Sequence, residues 1–195
     1  YPEVAYIHIP EKGRGRALRQ VWLESLADIV SYMDVDLSTD LAAFPPLVKA
    51  IQTGADIAIG SRHLPGSQTQ RSLKRDTLSR LYNLIIKALF LTHFTDAQCG
   101  FKALRRQAAQ ELIPLVENQN WFFDTELLIL AAKRGYDIRE VPVTWREDPD
   151  SRVHVLRTVM EDLKGLARLR CKLWRHLYPP RSSPEARHSP TQALR

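Results

Sequence analysis

Ile29-Val-Ser-Tyr-Met-Asp-Val-Asp36 joins a compact apolar segment to two aspartates and gives the clearest indication of the fold. Its first part is rich in β-branched and aromatic residues, which predicts a short buried strand over Asp28 to Met33. Asp34 and Asp36 follow at once, and residues two apart in an extended chain share a face, so both carboxylates can point at one ion. Such oxygen ligands suit Mg²⁺ or Mn²⁺. A strand cap or turn would use the same two residues, so the pair alone leaves both interpretations open.

Strands and helices alternate on both sides of this stretch. The pattern predicts a strand at Val4 to Ile9, a Gly-rich turn at Glu11 to Gly15, a helix at Arg16 to Leu26, a helix at Leu41 to Thr53 and a strand at Asp56 to Gly60. This spacing is typical of βαβ units. The fold class is therefore predicted to be α/β, with a Rossmann-like, mainly parallel sheet flanked by helices.

The second half of the chain is predicted to be mostly helical. A polar surface loop is expected at His63 to Lys74 and an edge strand at Ile138 to Trp145, where Pro142 interrupts the ladder. Apolar periodicity predicts four helices, at Asp76 to Phe90, Gln107 to Ile113, Asp124 to Lys133 and Val155 to about Leu177. Pro179 to Arg195 has few core-forming residues and is predicted to be disordered.

Composition limits the class of protein. The chain has 195 residues, of which 44% are hydrophobic and 26% charged, as in an ordinary globular domain with one core. Ten Lys/Arg and three Asp/Glu lie between Arg152 and Arg195, which suits an anionic surface, either lipid or nucleic acid, or a solvated basic end. The chain opens at Tyr1 in mid-pattern, so we expect further sequence upstream.

Five short segments occur in a defined order along the chain. They are Asp34-Val-Asp-Leu-Ser-Thr-Asp40, Gly60-Ser-Arg62, Asp96-Ala-Gln-Cys-Gly-Phe-Lys102, Trp121-Phe-Phe-Asp-Thr-Glu-Leu127 and Glu140-Val-Pro-Val-Thr-Trp145. Together they resemble the family-two glycosyltransferases that load a sugar onto a polyprenyl phosphate. The first and third segments are most similar to those of the dolichyl-phosphate beta-glucosyltransferases. The resemblance extends from about Ile7 to Val153.

The resemblance implies a GT-A fold and a defined reaction. A sugar, expected to be glucose, would move with inversion from a nucleotide-diphosphate sugar such as UDP-glucose to a polyprenyl or dolichyl phosphate. Mg²⁺ or Mn²⁺ would be held by Asp34 and Asp36. The other implied partner is a membrane surface, with the protein peripheral at its cytoplasmic face; no nucleic acid is expected.

The resemblance also implies roles for individual residues. Asp34, Asp36, Asp96 and Asp124 correspond to catalytic positions, although turn or helix capping would also explain Asp96 and Asp124. The substrate-binding positions are Arg62, Arg75 and Ser79 for the lipid phosphate, Glu126 near acceptor and sugar, and Arg146 and Arg152 in a mobile acceptor loop. A solvated charge at the start of a helix would equally explain Arg75.

Two family features are missing from the sequence, a Pro-x-x-Asn-Glu loop and an Asp-Gly-Ser segment that bind the nucleotide. The chain is therefore expected to be an N-terminally truncated GT-A domain over residues 1–153, followed by a basic amphipathic helix over 154–177 and a disordered tail over 178–195. Two alternatives stay open. One is an inactive fragment or non-catalytic paralogue, and the other is a haloacid-dehalogenase-like phosphatase, whose nucleophile loop also carries Asp-x-Asp after a strand.

Overall fold

The computed structural model describes residues 3–147, 155–175 and 178. Six α-helices lie in these ranges: α1 (Arg14–Glu24), α2 (Phe44–Gln52), α3 (Leu73–Phe90), α4 (Arg106–Leu112), α5 (Phe123–Lys133) and α6 (Val155–Trp174). The strands are β1 (Ile29–Met33), β2 (Ile57–Ser61), β3 (Gln68–Gln70), β4 (Phe101–Arg105), β5 (Ile138–Pro142) and β6 (Thr144–Arg146). Short 3-10 helices at Leu41–Ala43 and Ile113–Leu115 complete the described elements.

A four-stranded mixed sheet in the order β1-β4-β2-β5 forms the centre. β4 runs antiparallel to both β1 and β2, and β2 pairs in parallel with β5. β1, β2 and β5 therefore share one direction. Their carboxyl ends meet at one edge of the sheet, where ligands bind in open α/β folds. β3 and β6 form a separate parallel pair beside this edge.

The sheet separates two apolar clusters. Ile57 and Ile59 of β2 face the larger cluster with α5, whereas Ala58 between them faces the smaller cluster with α2. This alternation is the expected period of two for a strand buried on both faces. All five residues of β2 are buried, so the strand that precedes Arg62 is held rigidly on both sides.

Helix α6 packs onto this core. Leu166 and Leu169 are buried in the larger cluster, and a Cβ on Gly165 would lie 2.4 Å from Cδ1 of Phe122. The stretch predicted as a separate basic helix therefore shares the core of the preceding domain, while the exact division at residue 153 stays a prediction. No helix in the described ranges is both long and apolar enough to cross a bilayer.

Two predictions about strands were wrong. Val4 to Ile9 forms no strand, and Val4 and Tyr6 are 74% and 87% exposed, so their alternation faces solvent instead of a partner. Conversely, β4 was not predicted, although it lies at the centre of the sheet. The predicted edge strand is confirmed as β5 at the end of the sheet, with β6 following separately after Val143. Residues 179–195 lie outside the described ranges.

Candidate functional site

The two aspartates that follow β1 lie at the ligand-binding edge of the sheet. The backbone N–H of Asp34 donates to the carbonyl of Gly100, 3.0 Å away, which continues the β1–β4 pairing by one residue. A Cβ on Gly100 would lie 1.8 Å from Oδ2 of Asp34, so only glycine leaves room for this carboxylate. Asp36 is exposed, and its Oδ1 accepts from the Ser38 N–H at 2.9 Å. The Leu37 N–H also donates to the carbonyl of Asp34 at 3.0 Å, so Asp34 and Asp36 lie in a turn and not in the extended chain that was expected.

Arg14, at the start of α1, joins this acidic edge to α5. Its Nη2 lies 3.2 Å from Oδ1 of Asp34 and 3.3 Å from Oδ2 of Asp124. It also donates to the Tyr32 hydroxyl at 2.6 Å, and its guanidinium stacks on the rings of Tyr32 and Trp121. The sequence reasoning missed Arg14, although its place between two glycines of the Gly-rich turn was a signal.

Asp124 is buried at the centre of a charge network. Nζ of Lys102 lies 3.2 Å from its Oδ1, and the Tyr32 hydroxyl donates to the same oxygen at 2.5 Å. Burial favours the neutral acid, but the charges of Lys102 and Arg14 outweigh it and hold the pKa of Asp124 below its usual value. Asp124 is therefore ionised at neutral pH, and its carboxylate contacts Lys102, Tyr32 and Arg14, whereas no side-chain hydrogen bond caps the start of α5.

Asp96 and Arg62 form a buried ion pair. Oδ2 of Asp96 accepts from Nε of Arg62 at 2.7 Å, and Oδ1 accepts from Nη2 at 2.8 Å. The backbone N–H of Arg62 donates to the same carboxylate. Burial opposes ionisation, but the Arg62 charge and its hydrogen bonds lower the pKa of Asp96 well below its usual range. The pair fixes the guanidinium of Arg62 against the ring of Trp145.

Arg75 and Ser79 lie one helical turn apart on α3. Arg75 forms an ion pair with Glu147, whose other oxygen accepts from the Ser72 N–H at the start of the same helix. Ser79 is buried, and its hydroxyl lies 3.2 Å from Nε2 of His63. Burial lowers the pKa of His63, which favours its neutral form at pH 7.

A cavity of about 390 Å³ brings most of these residues together. Asp34, Arg62, Arg75, Ser79 and Asp124, all predicted site residues, line it. The lining contains three carboxylates, Asp34, Asp124 and Asp162, and four arginines. Its apolar part comes from α3 and α6, with Leu78, Leu81, Ile85, Val159 and Leu163. A ligand that fills it would need an anionic group joined to an apolar one.

Comparison with known proteins identifies the family of this chain. The sequence model of glycosyl transferase family 2 matches residues 1–113. The chain belongs to this family. It is 37% identical over 149 residues to the glycosyltransferase AglD of Haloferax volcanii, covering 76% of this chain and 24% of that protein. It is 28% identical over 173 residues to the dolichyl-phosphate beta-glucosyltransferase of Saccharomyces cerevisiae, covering 82% and 52%.

Solved structures establish the fold of this family-two chain. The glucosyl-3-phosphoglycerate synthase of Mycobacterium tuberculosis, crystallised with uridine diphosphate, superimposes with a TM-score of 0.66 at 20% identity, covering 87% of this chain and 58% of that one. The expected GT-A fold is therefore confirmed. The chain spans from about a quarter to about half of the curated relatives described above. Family and fold both exclude the phosphatase alternative.

Four of the predicted positions that the structure describes do not line the cavity: Asp36, Asp96, Glu126 and Arg146. Asp96 lies behind Arg62, so it reaches the cavity only through that residue. Arg146 is exposed on β6, where its backbone N–H donates to Ser38 and its side chain contacts Gln70. Arg152 lies outside the described residues. Glu126 is fully buried.

Glu126 does not face the cavity, and its carboxylate connects α5 to two neighbouring parts of the chain. One oxygen accepts from the backbone N–H groups of Glu117 and Asn118, and the other accepts from Nη2 of Arg168 at 2.7 Å. These contacts join α5 to the preceding loop and to α6. We do not propose a substrate-binding role for Glu126, because these groups already occupy its carboxylate.

Replacing Glu126 by glutamine is expected to lower the free energy of unfolding by about 2–3 kcal/mol, because a buried charge-assisted bond to Arg168 is lost. Urea unfolding measures this change. Glu117→Gln removes a 40%-exposed partner of the same arginine, so we expect a change below about 1 kcal/mol. If Glu126→Gln instead bound the nucleotide-sugar donor less tightly and kept its stability, Glu126 would have the substrate-binding role that was predicted.

Asp162 on α6 is a cavity residue that the sequence reasoning did not single out. It is 3% exposed and accepts from Nε2 of Gln98 at 3.1 Å. Burial raises its pKa to about 7. In the unfolded chain the Asp162 carboxyl ionises near pH 4. Between about pH 4 and pH 7 the folded state therefore binds more protons than the unfolded state, and the protein loses stability as the pH rises through this window.

Asp162→Asn is therefore expected to remove the decline in stability between about pH 4 and pH 7. At pH 8 the variant should be more stable than the wild type by about 1–3 kcal/mol, because no buried charge remains. Chemical denaturation at a series of pH values measures both effects. Asp28→Asn, at a side chain 96% exposed, should leave the pH profile unchanged. Equal slopes for wild type and Asp162→Asn would contradict this account.

Proposed function

We propose that this chain is the catalytic portion of a glycosyltransferase that moves a hexose, glucose in the first instance, from a nucleotide-diphosphate sugar to a polyprenyl phosphate. The observation that carries the proposal is the cavity, which joins Asp34 and Asp124 to several arginines and to an apolar wall. An isoprenoid phosphate combines the two matching features, an anionic group and an apolar chain. Dolichyl-phosphate beta-glucosyltransferases among the relatives support the same acceptor class.

The nucleotide-sugar donor would lie beside Asp34 and Asp36. Asp34 and Asp36 would hold Mg²⁺ or Mn²⁺, and the metal would neutralise the diphosphate as it leaves. Carboxylate oxygens are the ligands that these cations prefer. No cluster of three His, Cys, Asp or Glu side chains suited to a metal occurs in the described ranges. The exposed Asp36 and the space kept by Gly100 around Asp34 fit such a site. A structure of the mycobacterial synthase contains Mn²⁺ with uridine diphosphate.

The arginines of the cavity would orient the acceptor phosphate for in-line, inverting attack on the anomeric carbon. This phosphate is already anionic at neutral pH, so no strong general base is needed. Asp96 would act by holding Arg62, and Asp124 by holding Arg14 and Lys102. The roles of Arg146 and Arg152 as residues that close on the diphosphate stay predictions.

The outer faces of α3 and α6 support peripheral attachment to the cytoplasmic face of a membrane. Leu84, Leu91 and Trp174 are 61%, 77% and 74% exposed, and the basic residues Lys164 and Arg170 are exposed on α6 as well. Apolar and basic side chains together suit an anionic lipid surface. Vesicle flotation with and without anionic lipid tests this, and binding that ignores lipid charge would contradict it.

The reaction itself is tested by transfer of radiolabelled sugar to a polyprenyl phosphate in the presence of Mn²⁺ or Mg²⁺. UDP-glucose and GDP-mannose are compared as donors, and we expect transfer from UDP-glucose. Uridine diphosphate binding is measured in parallel by calorimetry. A folded chain that binds no nucleotide and transfers neither sugar would instead support the non-catalytic alternative.

A further inference from the structure

Four arginines line the cavity, and three of them are neutralised by the protein itself. Arg14 contacts Asp34 and Asp124. Arg62 is held by both oxygens of Asp96. Arg75 forms an ion pair with Glu147. A phosphate that approached these three groups would have to compete with carboxylates already in place.

The fourth, Arg71, lies between β3 and α3 and differs from the others. Its Nε and Nη1 are buried and have no hydrogen-bond partner. Within residues 3–147, 155–175 and 178, no carboxylate forms an ion pair with it. Its guanidinium lies 5.3 Å from the ring centre of Trp145, the ring on which Arg62 also stacks. Burying donors of a charged group without acceptors is costly, and one explanation for such groups in native proteins is a bound ion or a functional role.

We propose that Arg71 is the principal binding residue for the phosphate of the acceptor, an inference that rests on the proposed function. Its unused N–H groups provide charge-assisted hydrogen bonds to phosphate oxygens. Leu78 and Leu81, on the helix that begins two residues later, lie on the apolar wall of the same cavity. The phosphate at Arg71 would therefore leave the isoprenoid chain against this wall. Arg62 and Arg75 already contact carboxylates, so they would add weaker contacts to the phosphate and position Trp145 and α3.

The test measures binding of a ten-carbon isoprenoid monophosphate and of the corresponding alcohol to the full chain by calorimetry. Arg71→Met is expected to weaken phosphate binding about 10- to 100-fold, the equivalent of lost hydrogen bonds to a charged group, and to leave alcohol binding unchanged. Arg71→Lys should keep part of the preference for phosphate, because the charge remains. Arg80→Met removes an exposed arginine of α3 that pairs with Asp76, and serves as the matched control.

Stability provides an independent readout. Because Arg71→Met removes a half-buried guanidinium whose Nε and Nη1 have no hydrogen-bond partner, the variant should melt at the same temperature as the wild type or higher. A purely structural arginine would give a lower melting temperature. In transfer assays the KM for the acceptor should rise and kcat should change less.

The possible outcomes distinguish the role of Arg71 from the proposed class of acceptor. A wild-type preference for phosphate that persists in Arg71→Met overturns the role of Arg71 but leaves the acceptor class standing. A wild type that binds the alcohol as tightly as the phosphate overturns the acceptor class, and the role of Arg71 with it. A preference lost in Arg71→Met and kept in Arg80→Met supports both.

Discussion

Asparagine in place of Asp34 or Asp36 is expected to lower metal-dependent sugar transfer at least about 10³-fold and to leave the fold intact. Each change keeps the shape of the side chain but removes the charge that would hold a divalent cation against the leaving diphosphate. Loss of one such group from a preorganised site typically lowers the rate 10²- to 10³-fold, and loss of the cation itself lowers it further. Stability should change little, because Asp36 is exposed and Arg14 keeps Asp124 as a partner.

Asp40 provides the matched control from the same segment. Its Oδ1 accepts from the Ala42 N–H at 2.9 Å and caps the short helix at Leu41–Ala43. Asparagine caps as well as aspartate, so Asp40→Asn should keep full activity. Binding of Mn²⁺ in the presence of uridine diphosphate, followed by calorimetry, gives a readout separate from turnover. Normal Mn²⁺ binding and transfer in Asp34→Asn and Asp36→Asn would overturn the assignment of the metal site.

The sequence predicted the edge of the sheet better than its centre. β1 was predictable because its apolar residues and the two following aspartates occur together. β4 was not, because the charged Lys102 lies within it and α4 follows without a turn. Lys102 is fully buried only because Asp124, more than twenty residues later, neutralises it. That compensation is tertiary, and no local pattern reveals it.

The same limit applies to the arginines of the site. Arg62 and Arg75 were predicted by resemblance, but their pairing with Asp96 and Glu147 depends on how distant segments meet. Arg71 lay inside a stretch predicted to be a polar surface loop. Its significance comes from burial and from missing partners, two properties that sequence does not carry.

Replacement of Asp96 by alanine is expected to destabilise the protein by about 3–5 kcal/mol, because it leaves the Arg62 guanidinium buried without its carboxylate. The Arg62 side chain is 8% exposed and Asp96 is fully buried, so water cannot replace the lost oxygens. Such a loss is a large part of the total stability of a typical domain, about 5–15 kcal/mol. Asp137→Ala breaks an exposed pair with Arg139, and should cost less than about 1 kcal/mol.

A double variant separates the loss of the ion pair from the cost of leaving the Arg62 charge buried without a partner. Arg62→Met combined with Asp96→Ala removes both charges, so it should be more stable than Asp96→Ala alone. The pH dependence follows from the lowered pKa of Asp96: the stabilisation is complete above the unfolded value near 4, and is lost as the pH falls through the folded value. Asp96→Asn should therefore flatten the acid limb of the stability profile. Denaturant unfolding from pH 7 down to pH 3 measures both effects, and wild-type stability in Asp96→Ala would show that the pair contributes nothing to the fold.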